Sequence, residues 1–399
     1  MKVGIVTISN FPTGRQVRTE RIAKAIDSDG SEAVVFARNT RSDPARGSVK
    51  TERDESEEAL PYATVRRFSW LSSTRLFGLV TAPIPVNPLW ILWLVVEFSS
   101  RDVDAAVAGD LRSGLPTVIA GRLLGIPVVF DLRENYVGLA EALPVDSPVD
   151  HLVRNPTVIG ALESVTIRLA DAVWVVVDER RDQLLDRGVS PEKVTVVSNT
   201  PDLGDDGESD PGIEEPAADG EREFEWSGFT LVYVGVINDF RGLDLILDAI
   251  AQLRREGDRS VHVAIAGEGP YRETLEERAR RLDIADQVTF VGWLDPAQIP
   301  AFLAAGDVGV VPHKISPLTE YTIPNKLFDY MMAELPILTR NITPIRRIVE
   351  EHDCGCVLPA DATVSETGTR IRHLRDTEIS HLGQNGRDAV EEEYNWSTD

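Results

Sequence analysis

The stretch YVGVINDFRGLDLILDAI, residues 233–250, decides how the second half of the chain folds. It begins as a β-branched strand, passes through Gly235 and a short loop, and continues with the apolar spacing of a helix. Gly235 permits a close backbone approach, and Arg241 stands beside the start of the helix. Unpaired N–H groups and a guanidinium at such a place form a diphosphate site. The motif alone does not identify a ligand, because many strand–loop–helix units carry Gly and Arg for turns and caps.

The same alternation of short strands and longer helices runs along both halves of the chain. In the first half we predict strands over 3–9, 33–37, 103–108, 128–131, 172–177 and 194–197. In the second half, IAGEGP, VTFVGW, DVGVVP and PILTR follow the opening stretch as further strands. Alternation of this kind indicates βαβ units and parallel sheets. The sequence therefore predicts an α/β protein with two doubly wound domains.

The amino-acid composition changes between these two halves. Residues 204–222, GDDGESDPGIEEPAADGER, are almost entirely Gly, Pro, Ala and acid. Such a composition buries too little apolar surface to order itself. We therefore predict a first domain over 1–200, an acidic linker over 201–226, a second domain over 227–385, and a last segment over 386–399 that returns toward the first domain.

The charge of the chain is strongly acidic, with 65 Asp and Glu against 41 Lys and Arg, a net charge of −24. The acids are spread over the whole chain, which favours adaptation to a salty cytoplasm over mimicry of nucleic acid. In molar salt the Debye length is only about 3 Å, so an anionic substrate is not excluded. Nucleic acid is not an expected partner, since no stripe rich in Lys and Arg exists.

The cysteines and the N-terminus bear on the compartment and on metals. Cys354 and Cys356 flank one glycine, so no disulfide framework is present. His352 adds a third potential ligand, but a zinc site needs a fourth, and we predict no metal. The N-terminal MKVGIVTIS is a strand without a small-residue cleavage site. We therefore expect a cytoplasmic protein.

The longest apolar run is PLWILWLVVEF, residues 88–98, which is too short to span a bilayer. One interpretation is a buried helix. The other is an interfacial patch, because Trp90 and Trp93 suit the boundary of a membrane. On the second interpretation the protein would be peripheral to a membrane.

A carboxylate stands out in TIPNKLFDYMMAELPIL, residues 322–338, where Asp329 lies among Leu327, Phe328 and Tyr330. Its near cation is Lys326, three residues before it. One interpretation is an i,i+3 ion pair on a solvated edge, which stabilises a helix by a few tenths of a kcal/mol. The other is a polar contact at the mouth of a parallel sheet, where α/β proteins bind ligands.

The order of these motifs carries a resemblance to a known family. The segments 233–250, 265–275, 288–312 and 322–338 together resemble the nucleotide-binding domain of retaining glycosyltransferases of family 4. That resemblance implies the GT-B fold, in which two Rossmann-like domains face a cleft. It also implies that 1–200 is the acceptor-side domain and that 227–385 binds a nucleotide sugar.

The resemblance implies roles for matching positions in the second half. Arg241 would hold the donor diphosphate, main-chain groups of Gly292 and Trp293 would meet the nucleobase, and Asp329 would bind ribose hydroxyls. Lys326 would add charge to the phosphates. The full donor-binding set is Gly235, Arg241, Gly292, Trp293, Thr322, Ile323, Pro324, Lys326 and Asp329. The chain departs from the family where its first motif acid and first diphosphate arginine would stand, at Tyr321 and Val236. Glu320 lies one residue before the expected position of the acid.

The first half resembles the family over DVDAAVAGDLRSGLPTVIAGRLLGIPVVFDLRENY, residues 102–136. Asp110 and Glu134 match acids there, and Arg133 replaces the usual histidine. A guanidinium is not a base near neutral pH, so the replacement suggests a binding role. Gly14 and Arg15 match the family's first glycine-rich turn loosely, and an ordinary arginine-rich helix face explains them equally well.

The resemblance implies transfer of a sugar, with retention, from a nucleotide-diphosphate donor to a glycan or lipid-linked acceptor. Arg241 and Lys326 would stabilise the leaving diphosphate, so that neither a metal nor another cofactor is required. Two alternatives remain. One is a GT-B protein that has lost catalysis and serves as a binding subunit, which Tyr321, Val236 and Arg133 favour. The other is a sugar-nucleotide epimerase, for which we find no hydrolytic base pair.

Overall fold

A computed structural model describes residues 1–8, 11, 17–37, 57–70, 87–142, 155–203 and 224–399. The predicted acidic stretch 204–222 lies outside the described residues. The chain divides into two compact units, Met1–Val197 and Ser198–Asp399. Each unit is built around one sheet, and the two-domain α/β fold predicted from the sequence is confirmed.

The first unit holds an eight-stranded sheet in the order β3-β4-β2-β1-β5-β6-β7-β8. Its strands are β1 Lys2–Thr7, β2 Glu32–Ala37, β3 Glu57–Leu60, β4 Ala63–Arg67, β5 Ala105–Ala108, β6 Val128–Leu132, β7 Ala172–Val175 and β8 Val194–Val196. Neighbours are parallel except β3, which is antiparallel to β4. The described helices are α1 Val17–Ser28, α2 Pro88–Ser100, α3 Leu111–Leu124, α4 Tyr136–Ala142, α5 Pro156–Leu169 and α6 Asp178–Asp186.

Helix α2 contains the apolar run 88–98, and its tryptophans lie in the core. Trp93 is fully buried and Trp90 is 6% exposed, and both pack against Phe68, at centroid distances of 5.3 and 5.4 Å. The buried-helix interpretation is therefore confirmed for the two tryptophans, and the interpretation that they lie at a membrane interface is wrong. The described residues contain no helix that is long and apolar enough to cross a membrane. The exposed apolar residues of α2 are instead Leu89, Leu92 and Val96. Peripheral membrane contact through this helix stays a prediction.

A buried ion pair joins α1 to the carboxyl end of β6. The Arg18 guanidinium donates from Nε to Asp131 Oδ2 at 2.9 Å and from Nη2 to Oδ1 at 2.8 Å, and Nη2 also donates to the Val197 carbonyl. The Asp131 side chain is fully buried and that of Arg18 is 8% exposed. A buried ion pair with two parallel hydrogen bonds fixes α1 and β6 in one arrangement, because neither charged group can bind water instead.

The second unit holds a six-stranded parallel sheet in the order β11-β10-β9-β12-β13-β14. Its strands are β9 Phe229–Val234, β10 Val261–Ala266, β11 Val288–Gly292, β12 Val308–Val311, β13 Ile337–Arg340 and β14 Gly355–Leu358. Its helices are α7 Leu243–Arg255, α8 Arg272–Arg281, α9 Ile299–Ala304, α10 Pro317–Glu320, α11 Asn325–Met332, α12 Thr343–Glu351, α13 Val364–Asp376 and α14 Ser380–Glu392. The strand order reverses between β9 and β12, which is where doubly wound sheets open a crevice for ligands.

Helix α14 packs against α11, and the boundary predicted at residue 386 falls inside it. The close approach needs a glycine, because a Cβ on Gly383 would lie 1.9 Å from the Glu334 carbonyl oxygen. After the helix, the Tyr394 ring lies 5.8 Å from that of Phe328. The C-terminal residues therefore support the helix that carries Lys326.

We predict that Asp131→Ala lowers the free energy of unfolding of the first unit by about 3–5 kcal/mol, because it leaves the Arg18 charge buried without its partner. Glu32→Ala is the matched control, since it removes an exposed partner of Lys2 in the same unit and costs at most about 1 kcal/mol. Urea unfolding followed by circular dichroism measures both. Equal losses in the two variants would contradict a structural role for the buried pair.

Candidate functional site

Three glycines close the carboxyl ends of neighbouring strands β9, β10 and β11. Gly235, Gly267 and Gly292 have φ of 126°, 143° and 85°, a region that side chains rarely adopt. A Cβ on Gly267 would lie 2.0 Å from the Gly235 carbonyl oxygen, and the Gly267 N–H donates to the Gly292 carbonyl at 2.6 Å. The three loops therefore pack backbone to backbone, beside the point where the strand order reverses.

Gly235, Gly267 and Gly292 together form a glycine ledge. Lys326, the second residue of α11, directs its ammonium to this glycine ledge. Its Nζ lies 3.7 Å from the centroid of the Tyr233 ring, and a Cβ on Gly235 would be 3.0 Å from Nζ. The residue is only 7% exposed, and Nζ has no hydrogen-bond partner within the described part of the chain. The aromatic face offsets part of the desolvation of the cation. The three donors of the ammonium remain unused.

Arg241 reaches the same place from the turn after β9. Its Nη1 lies 3.1 Å from His313 Nε2, and its guanidinium lies 4.7 Å from the Phe240 ring centroid. Since a guanidinium only donates, Nε2 must accept, which requires a neutral His313 with its proton on Nδ1. Burial, Arg241 and Lys326 all lower the pKa of His313 well below its usual range, in agreement with that assignment.

Two features of the fold hold Arg241 at this position. Gly242 has φ 69°, and a Cβ there would lie 2.0 Å from the Pro312 carbonyl oxygen, so the turn packs directly on the chain that follows β12. The Lys314 N–H donates to the Phe240 carbonyl at 2.9 Å, and Lys314 Nζ binds Asp239 at 2.6 Å. The guanidinium is therefore positioned by backbone contacts as well as by its own packing.

The electrostatics of the site favour an anion. Burial lowers the pKa of Lys326 well below its usual range, Arg241 lowers it further, and Asp329 on the same helix opposes both. The Nε of Arg241 is also buried without a partner among the described residues. No carboxylate among the described residues bridges the two cations, and they repel each other until an anion binds between them. The site therefore suits a group with two negative charges.

The start of helix α11 adds to this character. Its N-cap is Pro324, which has no side-chain hydrogen bond to offer, so the first N–H groups of the helix are not capped by it. The positive end of the helix dipole lies at the same residues. Thr322, in contrast, turns its hydroxyl back to the Leu318 carbonyl at 3.0 Å, and the Ile323 carbonyl accepts from Asn199 Nδ2 at 3.3 Å.

The remaining predicted residues of the second unit lie around this cluster in different ways. Trp293 follows Gly292, and its side chain is 53% exposed. Asp329 is half-buried and acts on Lys326 and Tyr330 electrostatically. Glu320 accepts a hydrogen bond from the Thr343 hydroxyl at 2.5 Å. The structure thus gathers Gly235, Arg241 and Lys326 closely and places Asp329 beside them.

In the first unit, Asp110 and Arg133 meet at the carboxyl ends of β5 and β6. Asp110 caps α3, because its Oδ1 accepts from the Ser113 N–H at 2.8 Å. The Arg133 guanidinium lies within electrostatic reach of Asp110 and Glu134, and Glu134 itself is exposed. Asp110 thereby has a structural role that the sequence did not indicate. Gly14 and Arg15 lie outside the described residues.

Sequence reasoning missed three groups that the structure brings to these sites. His313 lies two residues after the carboxyl end of β12, and this position at the switch point was the available signal. Tyr233 precedes Gly235 and presents its ring to Lys326. In the first unit, the Tyr136 hydroxyl is buried without a partner in the described ranges, next to Arg133.

Comparison with known proteins agrees with this geometry. Residues 13–200 match the family described as "Glycosyl transferase 4-like domain", and residues 228–376 match "Glycosyl transferases group 1". The chain is 25% identical over 310 residues to alpha-D-kanosaminyltransferase of Streptomyces kanamyceticus, covering 76% of each. It is 25% identical over 173 residues to a GDP-mannose-dependent alpha-(1-6)-phosphatidylinositol monomannoside mannosyltransferase of Mycobacterium tuberculosis, covering 42% of this chain and 44% of that protein.

Solved structures share the fold over the full chain. Sucrose-phosphate synthase of Thermosynechococcus elongatus superposes with a TM-score of 0.72 at 17% identity, covering 100% of this chain and 96% of that one. Anabaena HepE in complex with UDP-glucose superposes with a TM-score of 0.67 at 16% identity, covering 100% and 96%. With the two family matches covering both units, these likenesses lead to one conclusion: the chain is a glycosyltransferase of the GT-B type.

Proposed function

We propose that this protein transfers a hexose from a nucleotide-diphosphate sugar to a glycan or lipid-linked acceptor, with retention of the anomeric configuration. The observation that carries the proposal is the pair of cations, Arg241 and Lys326, at the strand reversal of the second sheet, where no carboxylate of the described ranges bridges them. A diphosphate supplies two negative charges and enough acceptor oxygens for both side chains. Names of similar proteins that include GDP-mannose or UDP-glucose support a donor of this class.

The site residues divide the work between binding and charge stabilisation. Arg241 and Lys326 bind the diphosphate and stabilise the charge that develops when the glycosidic bond breaks. His313 accepts from Arg241, so it orients the guanidinium and is not available as a base through Nε2. The proton of the acceptor hydroxyl would pass to the leaving diphosphate on the same face as attack, which gives retention. The protein then contributes orientation and electrostatics.

Lys326 supports an active enzyme over a silent subunit. The chain has Val236 where the family carries an arginine, and Val236 is 43% exposed. Lys326 Nζ lies against Gly235, the residue directly before it. An ammonium from a later helix therefore occupies the neighbourhood of the missing guanidinium. We propose that this substitution preserves the second diphosphate cation.

The function is tested by calorimetric titration of UDP-, GDP- and dTDP-sugars. We expect one donor class to bind, and Arg241→Gln to weaken it by roughly 100-fold, about 2.7 kcal/mol, because a charge-assisted double contact is lost. Arg255→Gln removes the same charge from the far end of α7 and should bind like wild type. NMR of the product sugar first formed should show the anomer of the donor. A variant that binds as tightly as wild type, or an inverted product, refutes the proposal.

We predict that Gly235→Ala weakens donor binding while the second unit stays folded. The backbone there has φ 126°, and the new methyl group would lie 3.0 Å from Lys326 Nζ, so the ammonium must shift by a few tenths of an ångström. Gly257→Ala is the matched control, since Gly257 also has positive φ, 93°, but nothing lies within 4 Å of its Cβ position. Both carry the backbone strain and only the first displaces Lys326. Equal donor affinity in the two variants would contradict the placement of the ammonium.

We predict that donor affinity falls as the pH rises, and that the fall begins at a lower pH than it would for a lysine with the usual pKa. Burial and Arg241 lower the pKa of Lys326, so its ammonium deprotonates at a lower pH than usual, and the neutral amine binds the diphosphate less tightly. Lys326→Arg keeps its charge over the range and should bind with a nearly constant affinity. Titrations of both proteins from pH 7 to about pH 10 measure the difference. Parallel profiles would show that Lys326 does not contact the donor.

A further inference from the structure

A separate cavity lies in the first unit, at the amino ends of β7 and β8. Its volume is about 410 Å³, and it is formed by the second half of α5, the end of α6 and the loop that leads to β8. The site residues Asp110 and Arg133 follow the carboxyl ends of β5 and β6, so they lie at the opposite ends of the parallel strands of the same sheet. The cavity is therefore distinct from the predicted acceptor residues.

The polar lining of the cavity is cationic. It consists of Ser164, Arg168, Arg187, Ser190 and Lys193, and none of the nine lining residues is acidic. The chain as a whole carries 65 acids against 41 bases, so three cations around one concave surface without a lining carboxylate run against its composition. Concave surfaces lined by one sign of charge concentrate ligands of the opposite sign.

One buried carboxylate behind the wall is shared by two guanidiniums, so it compensates only part of the charge of Arg187. Glu163 is 1% exposed, and its Oε1 accepts from Arg180 Nη2 at 2.7 Å and from Arg187 Nη1 at 3.4 Å. The shorter contact belongs to Arg180, which is itself buried and lies outside the lining. Arg187 also donates from Nη2 to Ser164 Oγ at 2.9 Å, which fixes its guanidinium along the cavity wall.

Helix capping accounts for only part of this arrangement. Lys193 Nζ donates to the Arg168 carbonyl at 3.2 Å, in the last turn of α5, where a cation interacts favourably with the helix dipole. That contact uses one of the three donors of the ammonium. Arg122 already binds the Leu169 carbonyl with two donors, at 2.7 and 3.0 Å. Asp171 also acts electrostatically on Lys193, although it does not line the cavity. The Arg168 side chain has no ion pair among the described residues, so capping and ion pairing leave it unexplained.

We propose that this cavity binds a phosphate-bearing small molecule. Its phosphate would bind Arg168, Arg187 and Lys193, and the apolar floor of Ile167 and Leu184 would contact the rest of the ligand. A phosphate accepts from several cations at once, which relieves their mutual repulsion. The phosphate comes either from a soluble phosphate ester or from the headgroup of an anionic lipid, and the chemistry of recognition is shared.

The test uses the full chain with the variant Arg241→Gln, so that binding at the candidate donor site is removed. Glycerol 3-phosphate is titrated by calorimetry, and phosphatidylcholine vesicles with and without phosphatidic acid are tested by flotation. Arg168→Gln with Lys193→Gln should weaken binding by roughly tenfold or more, because two charged contacts are lost. Arg181→Gln with Arg280→Gln removes the same charge outside the cavity and should leave binding unchanged.

The outcomes distinguish the two sources of the phosphate and decide whether the proposal holds. Glycerol 3-phosphate binding that the cavity variant alone loses establishes a soluble ligand. Flotation with phosphatidic acid that the same variant alone loses, without binding of glycerol 3-phosphate, establishes a lipid headgroup. Absence of both, or equal binding by the cavity and control variants, overturns the proposal. Thermal unfolding of each variant verifies its fold, and failure here leaves the donor site untouched.

Discussion

The buried ammonium of Lys326, set against Gly235 and Tyr233 within electrostatic reach of Arg241, is the constraint on which the second unit's site depends. A desolvated cation next to another cation is unfavourable without an anion. The fold accommodates it with an aromatic face below, a glycine beside it and a neutral histidine behind the guanidinium. Each of these neighbours is small, apolar or uncharged. A carboxylate at any of these places would have removed the binding capacity for a diphosphate.

The backbone around the site explains why so many glycines stand at the strand ends. Gly235, Gly267 and Gly292 lie at the ends of three adjacent strands in conformations that other residues rarely adopt. Because no side chain projects from them, the ledge they form can be approached closely by a ligand. Gly242 has a related role, since it brings the Arg241 turn onto the chain after β12. The shape of the site is thus determined by the backbone, and its charge by two side chains.

Much of this architecture could be predicted from the sequence, because its signals are local. The alternation of strands and helices predicted both sheets except for β3 and β4 of the first one and β14 of the second, and the strand–glycine–helix pattern at 233–250 indicated Gly235 and Arg241. Other features depend on contacts between distant segments. Val236 and Lys326 are far apart in the chain, so their proximity follows only from the sheet. His313 carried no spacing motif, and Trp90 and Trp93 are core residues because Phe68 packs against both.

The diphosphate claim is tested most directly by a crystal structure of the protein with a bound nucleotide-diphosphate sugar. We expect diphosphate oxygens within hydrogen-bond distance of both the Arg241 guanidinium and the Lys326 ammonium, with the nucleobase near Gly292 and Trp293. A nucleotide bound elsewhere, or a diphosphate that leaves the Lys326 ammonium without a contact, would contradict it.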